Sequence, residues 1–274
     1  MITALFRTLF VFLFVCLFFF GGAGSIFAGA KAELWERWTL FDADSTEKID
    51  HEPLQNFLNT YRVIDTADNV AKIRYADVTP ADRTALGRYI QYLENSMVDS
   101  LNPDEQFAFW VNLYNAATVQ LILREYPVES IRRISEPWDE KLLMVAGENI
   151  SLNDIEHRIL RPRWKDPRIH FVVNCASIGC PDIPAKVLTA ENSETILEQA
   201  TFTYLNHPRG VSRRGRNLVI SSIFNWYAED FGDEKAAILN YISSYRDLAD
   251  LLERQDVSDA PVRYDYDWSL NDHP

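Results

Sequence analysis

The sequence predicts an α+β domain, mainly helical with a small, mostly antiparallel sheet. Helical periodicity dominates the middle of the chain, from Asp82 to Asn95 and from Asp104 to Arg124. Hairpin signals are short and scattered, over 142–151 and 210–220, and the alternating tail Val262 to Asp267 reads as a strand returning to a sheet. No internal repeat is present.

Taken in order, the chain opens with Arg7 as its only charge before Lys31, then the apolar run Leu9 to Phe20 and the small-residue stretch Gly21 to Ala30. This is the pattern of a secretory signal peptide over residues 1–30. Ala28 and Ala30 form an A-x-A pair that predicts cleavage after Ala30, and the apolar core is shorter than the ~20 residues a membrane span requires. Left uncleaved, 8–28 would serve as an anchor. Cys16 has no small-residue pair before it, so lipid attachment there is not expected. The remainder, 31–274, suits a single globular domain with no low-complexity linker, exported to a periplasm or the extracellular space.

Glu33 to Leu40 and Glu52 to Tyr61 read as short amphipathic helices. Between them, Asp42 and Asp44 suggest a calcium loop, but Glu47 stands where the loop needs glycine and Pro53 where it needs a bidentate glutamate. Asp104 to Arg124 carries Phe107, Trp110, Val111, Tyr114, Thr118, Leu121 and Ile122 at helical spacing, a core stripe. Asn112 and Asn115 lie within it and need partners if buried. Leu142 to Ser151 forms a hairpin around Gly147-Glu148, and Ser151 with Asp154, or Asn153 with Glu156, can box the start of the next helix. Ile169 to Val173 reads as a buried strand that breaks into a loop at Ala176, Ser177, Gly179 and Pro181. Helices are expected over 191–206, 223–230 and 234–254, with a basic hairpin around Arg214-Gly215.

The chain has 27 basic and 40 acidic residues, a net charge of −13, and removal of Arg7 with the leader makes it one unit more negative. Such a balance opposes nucleic-acid binding and association with an anionic lipid face, leaving a small molecule, protein or peptide as substrate or partner. The sequence does not specify the oligomeric state. No H-E-x-x-H is present and a Cys/His zinc site would have to gather scattered ligands, so neither metal nor cofactor is expected.

Cys175 is the leading nucleophile, at the end of an apolar run where loops display chemistry. Strand alternation would place His170 on the face opposite Cys175, which favours His157 as base. Consecutive helical positions diverge by about 100°, so Glu156 is not expected to orient its neighbour; Asn112, Asn115 or Asp154 would do so. Ser177, Asn174 and backbone amides could stabilise an oxyanion. A structural alternative stands beside this, with Cys175 a buried small hydrophobe and His157 satisfied elsewhere. The C-x4-C pair Cys175 and Cys180 could close a disulfide or act in redox exchange, although it lacks C-x-x-C spacing.

The chain resembles the domain-of-unknown-function 547 family, found in bacteria and in some plant and animal multidomain proteins. The resemblance rests on Phe107-Ala-Phe-Trp-Val-Asn-Leu-Tyr-Asn-Ala116, Ile155-Glu-His-Arg-Ile-Leu-Arg161, His170 to Pro181, Ile223-Phe-Asn-Trp-Tyr-Ala-Glu-Asp-Phe231 and Tyr266-Asp-Trp-Ser-Leu-Asn271. It implies that Asn112, Tyr114, Asn115, Glu156, His157, Cys175 and Ser177 belong to family motifs. It also implies that serine can replace Cys180 in plant relatives, against an obligatory disulfide. Fusions of some eukaryotic members to glutaredoxin-like modules keep a redox role open. Papain-like and transglutaminase-like enzymes place Cys before His, whereas His157 precedes Cys175 here. The leading expectation is a thiol-dependent hydrolase or acyl transferase; a non-catalytic envelope binding module and a thiol-disulfide protein are the alternatives.

Overall fold

Residues 29–253 and 257–273 are described by a computed structural model. Most of the leader expected over 1–30, including Cys16 and Ala28, lies outside the described residues, and so do residues 254–256 of the expected helix end. Among the described residues no helix is long and apolar enough to cross a membrane.

A 3-10 turn at Glu36–Thr39 replaces the first expected helix and buries only Trp38. Helix α1 (Glu52–Tyr61) has Pro53 in its first turn, where a missing N–H costs nothing. The antiparallel pair β1 (Arg62–Ile64) and β2 (Ala71–Ile73) leads to α2 (Pro80–Glu94), whose N-cap Thr79 accepts from Asp82 N at 3.1 Å. Helix α3 (Pro103–Glu125) starts in the same way, with Asn102 accepting from Glu105 N at 2.9 Å ahead of Pro103. Phe109, Trp110, Val111, Leu113 and Ala116 are fully buried around its whole circumference. A helix apolar on all sides must be a central element; α2 packs against it and α1 packs against α2.

The expected hairpin is β3 (Leu143–Val145) with β4 (Glu148–Ile150), turning through Ala146 and Gly147, both at positive φ. Ser151 and Asp154 then box the next helix reciprocally: Ser151 N donates to Asp154 at 2.8 Å and Asp154 N to Ser151 Oγ at 3.2 Å. That helix runs as a π segment over Asp154–Leu160 before α4 (Arg161–Trp164). A π bulge shifts the faces of successive residues and recurs at functional sites.

The segment expected to be a strand, Ile169 to Val173, is a 3-10 turn over Pro167–Phe171 that runs into a loop. Asp166 caps it by accepting from Arg168 N at 2.8 Å, and Pro167 follows the cap, so the start signal is helical. Its side chains are buried in two directions: Ile169, Val172 and Val173 join the cluster around α3, whereas Phe171 joins a second cluster with Phe224, Phe231 and Leu239. His170 is thereby held between the two apolar clusters.

Helix α5 (Ser193–Asn206) packs on this turn. Strand β5 (Val211–Arg214) pairs antiparallel with β6 (Asn217–Ser221). The expected 223–230 helix divides into α6 (Ile223–Trp226) and a 3-10 turn (Ala228–Phe231), because Tyr227 leaves helical conformation at φ −120° and ψ 37°. The expected 234–254 helix divides likewise into α7 (Lys235–Ser243) and α8 (Leu248–Leu252), where Asp247 acts as a new N-cap to Asp250 N at 2.9 Å. Strand β7 (Val262–Asp265) returns as expected but lies parallel to β6. The architecture is thus mainly helical α+β, with small sheets that are mostly antiparallel.

Candidate active site

Beyond β7 the chain runs beside the loop after His170. Ile178 N donates to Ser269 O at 2.8 Å and Gly179 N to Asp267 O at 2.7 Å. The approach is close enough that a Cβ on Gly179 would meet Asp267 N at 2.7 Å, which is why glycine stands there. This return delivers Tyr266 to Cys175. Cys175 Sγ lies 3.1 Å from Tyr266 Oη, 3.2 Å from Ser177 Oγ and 3.1 Å from Cys180 Sγ. Both cysteines are free thiols.

The loop's shape is fixed by buried amides. Asn115 of α3 donates to Val172 O at 2.8 Å and accepts from Asn174 N at 2.8 Å. Asn174 donates to Pro181 O at 2.7 Å and accepts from Ala176 N at 2.9 Å, which supports Ala176 in the left-handed region at φ +57°. Asn112, one turn earlier on α3, instead brackets Leu188, donating to its O at 2.8 Å and accepting from its N at 3.0 Å. Of the expected orienters, Asn115 therefore positions the Cys175 loop and Asn112 anchors a different segment; neither holds a histidine. Asp154 is taken up by Ser151, Lys141 and Arg158.

Cys175, Cys180, Glu156, His157 and His170 line one cavity of about 260 Å³. Its apolar side is an aromatic wall: Trp226 stacks on Trp268 at 5.3 Å between centroids, and Tyr266 tilts against both. Deeper in, His170 Nε2 faces Asp230 at 2.6 Å and its Nδ1 faces Glu156 at 3.4 Å. Its ring stacks on Tyr227 at 4.3 Å, the residue that breaks the helix after α6. The expectation that His170 points away from this site followed from the strand reading and is corrected with it: a 3-10 turn does not alternate faces.

The histidines are tuned in opposite directions. Burial pulls the His170 imidazole down, but hydrogen bonds to Asp230 and Glu156 outweigh this and raise its pKa, favouring the charged ring between two carboxylates. Burial also opposes ionisation of Glu156, yet His157, His170 and Arg161 beside it hold the carboxyl down at about 2. Asp230 is likewise held at about 2, burial being outweighed by hydrogen bonds from His170 and Arg161. His157 is pushed down to about 4, chiefly by burial, with Glu156 opposing and Arg161 adding to the fall.

Arg161 Nη1 lies 2.9 Å from His157 Nδ1, and a guanidinium can only donate, so Nδ1 accepts and the ring proton sits on Nε2. His157 is therefore a neutral Nε2–H donor in this geometry, which revises its expected role as base. Glu156 pairs with His170 and not with its neighbour His157, as the helical divergence predicts.

The thiols divide too. Hydrogen bonding from Cys180 lowers the Cys175 pKa, burial opposes it, and Ser177 and Tyr266 add to the lowering. Burial and the adjoining Cys175 push the Cys180 thiol well up. Cys180 also accepts from Cys175 N at 3.0 Å, so its sulfur belongs to the turn that shapes the site. The arrangement can stabilise one thiolate through donors without an imidazolium partner.

Tyr266, Asp230, Tyr227 and Arg161 were not singled out from sequence as site residues. The motifs Ile155 to Arg161, Ile223 to Phe231 and Tyr266 to Asn271 contain them, and that grouping was the only available signal. Among the described residues no group of three or more His, Cys, Asp and Glu side chains could hold a metal ion.

No curated protein and no solved structure matches the chain. Residues 98–205 match the family model described as "Protein of unknown function, DUF547". That segment includes Asn112, Asn115, Glu156, His157, His170, Cys175, Ser177 and Cys180, while Tyr227, Asp230 and Tyr266 lie C-terminal to it. Over residues 98–205 the chain is similar to the DUF547 family.

Proposed function

We propose that the cavity is a thiol-dependent acyl-transfer or hydrolytic site with Cys175 as nucleophile, in an exported protein whose residues 31–274 act as one domain. The observation that carries this reading is the set of polar neighbours within hydrogen-bond reach of Cys175 Sγ: Tyr266 Oη at 3.1 Å and Ser177 Oγ at 3.2 Å, hydroxyls that can each donate to it, and Cys180 Sγ at 3.1 Å. Donors to a sulfur favour its charged form, and the thiolate is the reactive species. Attack on an ester or amide carbonyl forms a C–S bond and places charge on the carbonyl oxygen. Ser177 and the Nε2–H of His157 are the available oxyanion donors, which accords with the neutral state of His157. The C–O or C–N bond then breaks, the alcohol or amine leaving with a proton taken from solvent. Attack by water or an acceptor nucleophile breaks the C–S bond, transferring the acyl group and returning the Cys175 thiolate. His170, Glu156, Asp230 and Arg161 form the charged scaffold that fixes His157.

The test uses p-nitrophenyl acetate, a small activated ester. Cys175 sulfur should displace p-nitrophenolate and retain the acetyl group, read by peptide mass mapping, and Cys175→Ala should lose the adduct. Acetylation confined to lysines, or release of p-nitrophenolate unchanged in Cys175→Ala, would exclude the reading.

The 3.1 Å separation of Cys175 and Cys180 sulfurs favours thiol-disulfide exchange as a second reading. Oxidised glutathione would accept two electrons and two protons from the pair, leaving a Cys175–Cys180 disulfide and two reduced glutathiones. Reversible titration of both thiols in a glutathione buffer is its requirement; a pair that stays reduced throughout removes it.

A further inference from the structure

Residues 29–35 run along the cavity rim as an extended strap. Glu33 N donates to His157 O at 2.9 Å, Trp35 N to Arg158 O at 3.0 Å and Ala32 N to Glu229 Oε1 at 2.9 Å. At the head of the strap, Ala30 O accepts from Arg161 Nη1 at 2.6 Å, and Gly29 and Ala30 line the same cavity as Cys175. Arg161 has a side chain only 1% exposed; its other hydrogen-bond partners are Asp230, Glu229 and His157, and its guanidinium lies 4.8 Å over the Tyr227 ring. The bond to Ala30 is thus the one that this buried cation directs to the strap. Gly29 lies so close to Trp226 and Tyr227 that a Cβ would collide with the Trp226 carbonyl and come within 2.7 Å of the Tyr227 ring. Ala30, by contrast, is exposed.

We infer that this edge of the cavity is a peptide-binding subsite, occupied here by the chain's own Gly29–Ala30. It would accept an extended peptide with glycine over Trp226 and Tyr227 and with the carbonyl of the following residue on Arg161. The contacts read the main-chain carbonyl of the second residue and exclude a side chain at the first; the second residue is exposed and its side chain is not selected. Cleavage after Ala30, where the A-x-A pair predicts it, would remove the occupant and free Arg161 Nη1 for a ligand. The inference deepens the proposed acyl-transfer reading by naming a glycine-containing peptide as its substrate class, and it rests on that reading for the chemistry but not for the binding.

The test is calorimetric titration of the full chain with acetyl-Ala-Gly-Ala-Lys-amide. Gly29→Leu cannot seat its strap, and Gly29→Val provides a second displacement with a smaller side chain. A tethered occupant competes at an effective concentration near millimolar. Both variants should therefore bind the peptide at least about tenfold more tightly than the unsubstituted chain, with thermal unfolding midpoints unchanged. The peptide with valine in place of glycine should not bind. Equal affinity for the unsubstituted and substituted chains, or equal binding of the valine peptide, overturns the subsite. Failure of the thiol reading looks different: the peptide preference survives but no acetyl adduct forms on Cys175. Failure of the subsite leaves the adduct and loses the preference.

Discussion

Replacing Tyr266 by phenylalanine removes one oxygen from the site and leaves the ring against Trp226 and Trp268. The lost contact is the 3.1 Å hydrogen bond to Cys175 Sγ, with the 3.0 Å bond to Ser177 Oγ lost alongside. A hydrogen bond to a charged acceptor contributes about 1.5–3 kcal/mol, and sulfur, a soft acceptor, belongs at the low end. Since about 1.4 kcal/mol corresponds to one pKa unit, the Cys175 pKa should rise by about one. Below the titration midpoint that cuts the thiolate fraction about tenfold, while the more basic thiolate recovers part of the loss through a Brønsted slope of about 0.4–0.5. The net expectation is an iodoacetamide rate at Cys175 about threefold lower, with the midpoint of its pH profile shifted upward. Peptide mass spectrometry across a pH series measures both. An unshifted midpoint in Tyr266→Phe would refute the claim that donors, and this one in particular, set the state of the thiol.

Further outcomes follow from the same geometry. His157 titrates near 4 when folded and near 6.5 when unfolded, so its contribution to stability is complete above pH 6.5 and is lost as pH falls towards 4. The loss should reach about 3 kcal/mol in urea unfolding between pH 7 and 4, and His157→Gln should flatten that part of the profile. Asn115→Ala leaves Val172 O and Asn174 N without their partner and should cost about 2–4 kcal/mol by urea unfolding while slowing Cys175 alkylation, because the loop is no longer pinned. Asp230→Asn removes a charge shared by His170 and the buried Arg161, and should destabilise the fold by about 3 kcal/mol with a lower His170 pKa by NMR titration.

Much of the helical frame is legible in the sequence because its starts are local. Apolar periodicity places α2 and α3 from Asp82 and Asp104, and the caps Thr79 and Asn102 with Pro80 and Pro103 behind them start the helices slightly earlier. The hairpin at Ala146-Gly147 and the box at Ser151 and Asp154 are equally local. Ile169 to Val173 misleads because its residues other than His170 are apolar and are buried in two directions, and burial between two clusters erases the periodicity that separates strand from turn. Asp166-Pro167 carried the contrary signal. Around 244–247, Asp247 competes as a cap with continuation of the helix, a contest that apolar periodicity does not register.

The site divides along the same line. Glu156, His157 and Cys175, which line one cavity, and Ser177 beside the thiol can be picked out as candidates because each falls in a compact sequence motif. Tyr266 reaches Cys175 across 91 residues and Asp230 reaches His170 across 60, and such pairings are set by how the tail and the Tyr227 break fold back onto the core. The tautomer of His157 was beyond reach for a further reason. It depends on Arg161 one helical turn away, whose guanidinium fixes which ring nitrogen keeps the proton.

The pH dependence of iodoacetamide labelling on the unsubstituted, reduced protein, followed at Cys175 and Cys180 separately by mass spectrometry, tests the central claim most directly. Cys175 should label with a midpoint below the ~8.5 of a free cysteine, and Cys180 should stay slow until well above it. A Cys175 midpoint at or above that value, or indistinguishable labelling of the two thiols, would contradict the assignment of Cys175 as the activated nucleophile.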